Sequence, residues 1–232
     1  MIFNETVKSD SNPVDRTEKF MFDGERLIQH IIKQRYFEEE ISNEVNLSYS
    51  DNQVTVTTDY LTLVYTLNSE GYASQCVYSL SSQNRIYQFS YSAEGYLTGI
   101  VENIDNTEYS STSLTYENGD ITSISSKMNG LENKFIYEPG EESSTYHLPC
   151  LGLLEIHPLT FHIEALYAGL LGKDPRHFTM HSCPAGSNDE KTVYSYGFDK
   201  KGNPSRMICQ TTYAGGQASY YPYTRNISVS FE

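Results

Sequence analysis

One unit recurs along this chain and limits what it can fold into. An alternating aromatic run leads to a short polar turn ending in glycine, and a second run returns. Gly71, Gly95 and Gly119 mark the unit at spacings of 24 and 24 residues, and Gly140 follows after 21. Gly24 stands 47 residues before Gly71, Asp51-Asn52 supplies a turn near the midpoint, and Gly202 closes the series after a long interruption. A fixed period of this length is the mark of a repeat architecture. Before each turn the large residues alternate: Leu63, Tyr65, Leu67; Tyr87, Phe89, Tyr91; Leu114, Tyr116; Phe135, Tyr137; Tyr194, Tyr196, Phe198. Period two puts each set on one face of a strand. The turns read Asn-Ser-Glu-Gly, Ala-Glu-Gly, Glu-Asn-Gly, Glu-Pro-Gly and Asp-Lys-Lys-Gly, in which glycine supplies positive φ without steric cost. The units are β-hairpins chained head to tail, an antiparallel meander of roughly fourteen strands of about six to eight residues.

Two segments interrupt that reading. Glu25 to Ile41 (ERLIQHIIKQRYFEEEI) has a fair helical pattern, yet Phe20 and Phe22 alternate before Asp23-Gly24-Glu25 and Leu27 to Ile32 return, so a hairpin is expected there. From about 141 to 191 the repeat stops. Pro158 suits a first helical turn, and Leu159, Ile163, Leu166, Leu170 and Leu171 mark one apolar face. Gly172, Lys173 and Pro175 then read as a stop. A helix over about 158–171 is predicted, buried on the sheet's concave side or in an open barrel end. The expected fold is all-β: a curved, barrel-like antiparallel meander forming one domain over 16–232, after an extended or disordered segment at 1–15, with one helix-bearing insert.

The chain carries 20 Tyr, 10 Phe and no Trp, and 38% of its residues are hydrophobic, which suits a half-buried pleated sheet. A net charge of −14 argues against nucleic acid and anionic membrane partners. No stretch approaches the ~20 apolar residues of a membrane helix. The expected strands are short for a membrane barrel, and the faces opposite the aromatics read Ser, Thr, Gln and Asn, so the sheet is expected to be soluble. The opening MIFNETVKSDSNP has no basic start or apolar run and is not a signal peptide. Composition favours an exported protein, periplasmic or at the cell surface, whose leader lies outside this chain; the alternative is cytoplasmic.

Tyr194-Ser-Tyr-Gly-Phe-Asp-Lys-Lys-Gly-Asn203 resembles the YD (Rhs-type) hairpin repeat. Together with the earlier hairpins and ALYAGLLGKDPRHF (Ala165 to Phe178), it is similar to a family of unknown function from gut Bacteroidetes. The resemblance covers nearly the whole chain from about Arg16. It implies a porin-like fold, a strongly curved barrel-like sheet without membrane insertion, and export, often as a lipoprotein. A lipid anchor would need a leader that this chain does not show. No catalytic residues come with it.

The candidate sites have plain structural readings beside them. His147, His157, His162, His177 and His181 lie in the insert with Cys150, Cys183, Glu155, Glu164 and Asp174, all metal-ligand types. Their spacing is poor, since His157 and His162 are off a shared helical face, and a polar insertion explains them. Cys76, Cys150, Cys183 and Cys209 form no CxxC and read as small apolar residues, with a Cys150–Cys183 bridge as the other reading. Phe37-Glu-Glu-Glu40 and Glu141-Glu142 read as solvated charge rather than paired catalytic carboxylates. No Gly-x-Ser-x-Gly elbow is present, and Ala214-Gly-Gly-Gln217 reads as a turn. The tyrosine stripes read as core ladders, with sugar stacking as the functional alternative. No catalytic residue, metal or cofactor is therefore predicted. The expected function is a non-enzymatic ligand-binding or scaffold protein of the envelope, with a glycan or protein partner. A hydrolase sited between the histidine-rich insert and the sheet, and a purely structural repeat shell, are the rivals.

Overall fold

The computed structural model describes residues 2–8, 14–36, 39–80, 83–144, 148, 151–187, 190–213 and 223–230. The meander begins with β1 (Ile2–Lys8), β2 (Val14–Asp23), β3 (Arg26–Tyr36), β4 (Glu39–Tyr49), β5 (Gln53–Thr57) and β6 (Thr62–Leu67). It continues through β7 (Ala73–Leu80), β8 (Gln83–Tyr91), β9 (Leu97–Ile104), β10 (Thr107–Glu117), β11 (Asp120–Met128) and β12 (Leu131–Ser143). After the insert come β13 (His177–Pro184), β14 (Glu190–Phe198), β15 (Pro204–Tyr213) and β16 (Tyr223–Ser230). Strands β2 to β15 are the fourteen-stranded antiparallel curved sheet that the repeat predicts. β1 and β16 pair with its two edges and with each other, closing the ring. Residues 2–8 are thus a strand of the barrel, and the domain expected to begin at 16 takes them in.

The contested segment from Glu25 is a hairpin, with Lys19 opposite Ile31 and Phe20 opposite His30. Strand length departs from expectation. β3, β4 and β10 have 11 residues and β12 has 13, so shortness is no argument against a membrane barrel.

The turns explain the repeat. Asn68, Ser92 and Asp199 each open a five-residue turn whose first N–H donates to the fifth carbonyl, at 2.8 Å in all three. The same residue's side chain accepts from the fifth N–H: Tyr72 N to Asn68 Oδ1 (2.9 Å), Tyr96 N to Ser92 Oγ (3.3 Å), Asn203 N to Asp199 Oδ1 (2.9 Å). The fourth residue, Gly71, Gly95 or Gly202, has φ between 83° and 91°. A short polar residue and a glycine three positions on are what such a turn needs.

A sixteen-strand barrel is wide enough to leave a water channel. This one is filled. The insert touches β2 through Tyr167 against Phe20, β3 through Glu164 against His30, and β6 and β8 through His162 against Tyr65 and Tyr87. It also touches β9 through His157 against Glu102, and β12 and β14 where Gly152 lies against Tyr137 and Tyr194. A segment in contact with strands all round a closed ring lies inside it. Leu148, Leu153, Leu159, Ala165, Leu170 and Leu171 join one core with the inward residues Val54, Val56, Leu63, Leu114, Ile124 and Met207.

The predicted helix over 158–171 is not formed. Leu151–Glu155 and Leu159–Phe161 are 3-10 turns, and α1 (Ile163–Tyr167) is five residues long. His162 leaves helical geometry at φ −118°, ψ 28°, and Gly169, at φ 70°, follows the C-cap Ala168. A regular helix presents one apolar face, but the lumen is walled on every side. Ala165 and Tyr167 are as buried as Leu159 and Leu170.

Gly172, expected to cap that helix, does something else. Residues 170–176 cross the turn ends of three successive hairpins as a strap. Ala73 N donates to Leu170 O (2.8 Å), Lys173 N to Gly95 O (2.9 Å) and Arg176 N to Gly119 O (3.0 Å). The chain then becomes β13, with Thr179 opposite Pro139. A hairpin is two strands wide, about 10 Å, which three extended residues at ~3.3 Å each also span. The step of three in the strap therefore matches the step of one hairpin in the wall.

Gly172 sits at φ +90°, and a Cβ there would lie 2.6 Å from Gly95 O. Gly71 has φ +83° with nothing within 4 Å of its absent Cβ. Gly172→Ala is expected to cost about 2 kcal/mol or more in a urea titration, and Gly71→Ala about 1 kcal/mol. Equal costs would contradict the seating of the strap.

Candidate functional site

Three polar ties fix the insert in the lumen. In the first, His30 of β3, fully buried, sits between two carboxylates, Glu164 Oε1 on α1 and Glu18 Oε2 on β2, each 2.8 Å away. Arg16 Nε meets the other Glu18 oxygen at 2.7 Å, and Phe20 stacks on the imidazole at 4.0 Å. Burial alone would lower the His30 pKa, but the two carboxylates outweigh it and the value is raised. In the second, Glu102 on β9, with no exposed surface, accepts from His157 Nε2 (2.6 Å) and Ser110 Oγ (2.7 Å), while Arg85 lies 3.3 Å from its other oxygen. Burial pushes Glu102 up, the His157 and Ser110 hydrogen bonds pull it down, and the net shift is downward. The His157 carbonyl takes a hydrogen bond from Thr112 Oγ1 at 3.0 Å. In the third, His162 Nδ1 accepts from Tyr65 OH at 2.7 Å, and burial pushes this imidazole down to about 3. Its Nε2 has no conventional partner. The Tyr87 ring stands perpendicular to it at 4.4 Å.

These ties engage three of the suspected metal ligands, His157, His162 and Glu164. His157 and His162 engage different walls, while His177 Nδ1 bonds Asp120 Oδ2 (2.9 Å) and His181 Nδ1 bonds Glu138 Oε2 (3.0 Å). Among the described residues no three His, Cys, Asp or Glu side chains gather to hold a metal. Ser110 donates to the carboxylate rather than to the imidazole, which is not the order of nucleophile, base and orienter. Cys76 and Cys183 are free thiols, and Cys76 is pushed up to about 12 by burial. His147, Cys150 and Ala214 to Gln217 lie outside the described residues, as do Phe37 and Glu38, while Glu39, Glu40, Glu141 and Glu142 are exposed. Of the tyrosine stripes, Tyr65, Tyr87, Tyr137 and Tyr194 are core.

An open groove lies at the turn end of the ring, where the strap crosses. This groove of about 740 Å³ is lined by Ser92, Glu94, Tyr96, Thr98 and Leu114 on one flank. Thr115, Tyr116, Asn118, Gly119, Lys173 and Arg176 complete it. Its size is that of a small-molecule site. Tyr96 and Tyr116, both half-buried, stack at 5.0 Å. Tyr96 reaches over the next hairpin because Gly119 has no side chain. A Cβ there would be 2.6 Å from Tyr96 OH and 2.5 Å from Arg176 Cδ. Arg176 donates to Asn118 O at 3.3 Å. The Ser92 hydroxyl and a backbone N–H, with Lys173 beyond, hold Glu94 below the usual carboxylate range. Sequence reading missed this groove. The signal was present in two places: a tyrosine directly after each of Gly71 and Gly95, and a Lys173/Arg176 pair three apart in an acidic chain.

Comparison with known proteins agrees with this architecture. A family described as a domain of unknown function (DUF4595) with porin-like fold matches residues 20–206. The crystal structure of a porin-like protein from Bacteroides uniformis superposes with a TM-score of 0.88 at 27% identity, covering 100% of this chain and 95% of that one. A porin-like protein from Bacteroides vulgatus shares the fold at a TM-score of 0.58 and 12% identity, over 99% of this chain and 97% of that one. No curated protein matches the chain in sequence.

The two buried histidines give opposite pH dependences. Unfolded His162 takes up a proton below about pH 6.5 and the folded form does not until about 3, so its share of stability falls by roughly 1.4 kcal/mol per pH unit between those values. His30 binds its proton more tightly when folded. Its share is complete below about pH 6.5 and is lost as pH rises through the raised value. Urea midpoints at acid, neutral and alkaline pH are expected to show a flattened acid limb in His162→Phe and a flattened alkaline limb in His30→Gln. Unchanged limbs would contradict the ties.

Proposed function

From a chain that belongs to the DUF4595 family of porin-like fold, we propose a non-catalytic, soluble, extracytoplasmic ligand-binding protein of the cell envelope. Its ligand is a glycan seated in the groove between the strap and the β8–β9 and β10–β11 turns. The observation that carries this reading is the groove's lining: an aromatic pair set among hydroxyl, amide and charged groups. Sugars stack apolar ring faces on aromatics and direct hydroxyls to polar neighbours, and this lining offers both.

Other features support it. The filled lumen argues against a channel. Outward residues such as Ser111, Ser113, Thr115 and Glu117 on β10, and Gln53, Thr55 and Thr57 on β5, argue for a face in water rather than lipid. A closed ring has no free strand edge for an extended peptide to join, which favours a glycan over a protein segment. The Bacteroides sources of the similar structures support an envelope location.

Calorimetry against a panel of neutral and acidic oligosaccharides tests the reading. Binding should appear for at least one, and Tyr96→Ala should weaken it about tenfold without shifting the urea midpoint by more than the lost packing. A blank panel, or binding indifferent to Tyr96, would sink it.

A further inference from the structure

The strap does more than close the turns. Between Glu141 and Asp189 its Lys173 and Arg176 are the only Lys or Arg residues, and both are exposed on this groove. The strap's step of three residues per hairpin places them there, one over Gly95 and one over Gly119. Among the groove's lining residues the only carboxylate is Glu94, which faces Lys173 and stays ionised. That leaves Arg176 without an opposing carboxylate in the lining. Arg176 uses one N–H on Asn118 O; a guanidinium carries five in a planar fork that matches two carboxylate oxygens. Its stem lies flat across Gly119, where a side chain would displace it, so the fork is held at the groove beside Tyr96.

Resting on the reading that a glycan occupies this groove, we propose that the ligand carries a sugar carboxylate. A uronate unit would stack beside Tyr96 with its acid on the Arg176 fork and Lys173 as the second cation. The arrangement suits an acid group rather than a neutral hydroxyl because a local positive site in a chain of net charge −14 is maintained against the protein's own field.

The test titrates the full chain with trigalacturonate and with its methyl ester, in which the same sugar backbone carries neutral esters in place of carboxylates, beside a neutral oligosaccharide panel. The acid form is expected to bind about tenfold or more tightly than the ester. In the Lys173→Gln/Arg176→Gln double variant the two should come within about twofold of each other. Arg176→Lys, which keeps the charge and loses the fork, should retain only part of the preference. Equal binding of acid and ester by the unaltered protein, or a preference that survives in the double variant, overturns the inference. So does silence from both trisaccharides while neutral glycans bind, and the glycan reading then still stands. Silence from every sugar removes the glycan reading and this inference together.

Discussion

The structure depends on filling a hole. Sixteen strands joined edge to edge enclose more space than their own inward side chains can occupy, and an empty apolar lumen of that width would take in water. The hairpin repeat therefore cannot be the whole protein. Something must come off the wall and enter the ring, and the segment between β12 and β13, where the repeat stops, supplies it. The inward tyrosines and leucines of the wall share one core with that segment.

Apolar filling alone would leave the insert free to rotate or slide, since one leucine contact is much like another. The polar ties remove that freedom. A wall histidine takes an insert carboxylate at His30–Glu164, a wall carboxylate takes an insert histidine at Glu102–His157, and a wall tyrosine takes an insert histidine at Tyr65–His162. Each partner buried alone would cost several kcal/mol, so a slipped insert loses far more than packing. The same ties break the insert's backbone into short turns, because each side chain is drawn toward a different strand.

Much of the wall was legible in the sequence. Period-two aromatics and the Asn68-to-Gly71 type of turn are local signals, and they place the hairpins, including the one starting near Phe20 whose second strand looks helical in isolation. Strand length was not legible, because polar residues such as Glu39, Glu40 and Ser42, and Glu132 to Lys134, extend the strands beyond the aromatic run without any pattern of their own. Nor was the ring's closure, which depends on β1 meeting β16 across nearly the full length of the chain. The insert was misread because Leu159, Ile163, Leu166 and Leu170 satisfy a helical period, and no local rule reports that walls stand on the other sides as well. The groove escaped for a related reason: it is made by two turns and a strap brought together only once the wall is built.

The strap also sets a rule for how such a chain can change. Its contacts at residues 170, 173 and 176 count hairpins as a ruler counts intervals, three residues to each. At the far end of the barrel, where Asp105-Asn106 and Asn129-Gly130 turn, no strap crosses among the described residues, so strands can lengthen or shorten there freely. At the near end the spacing is fixed. A chain with one more hairpin in that row would need three more residues in its strap, and one with two more residues would run out of register with its own wall.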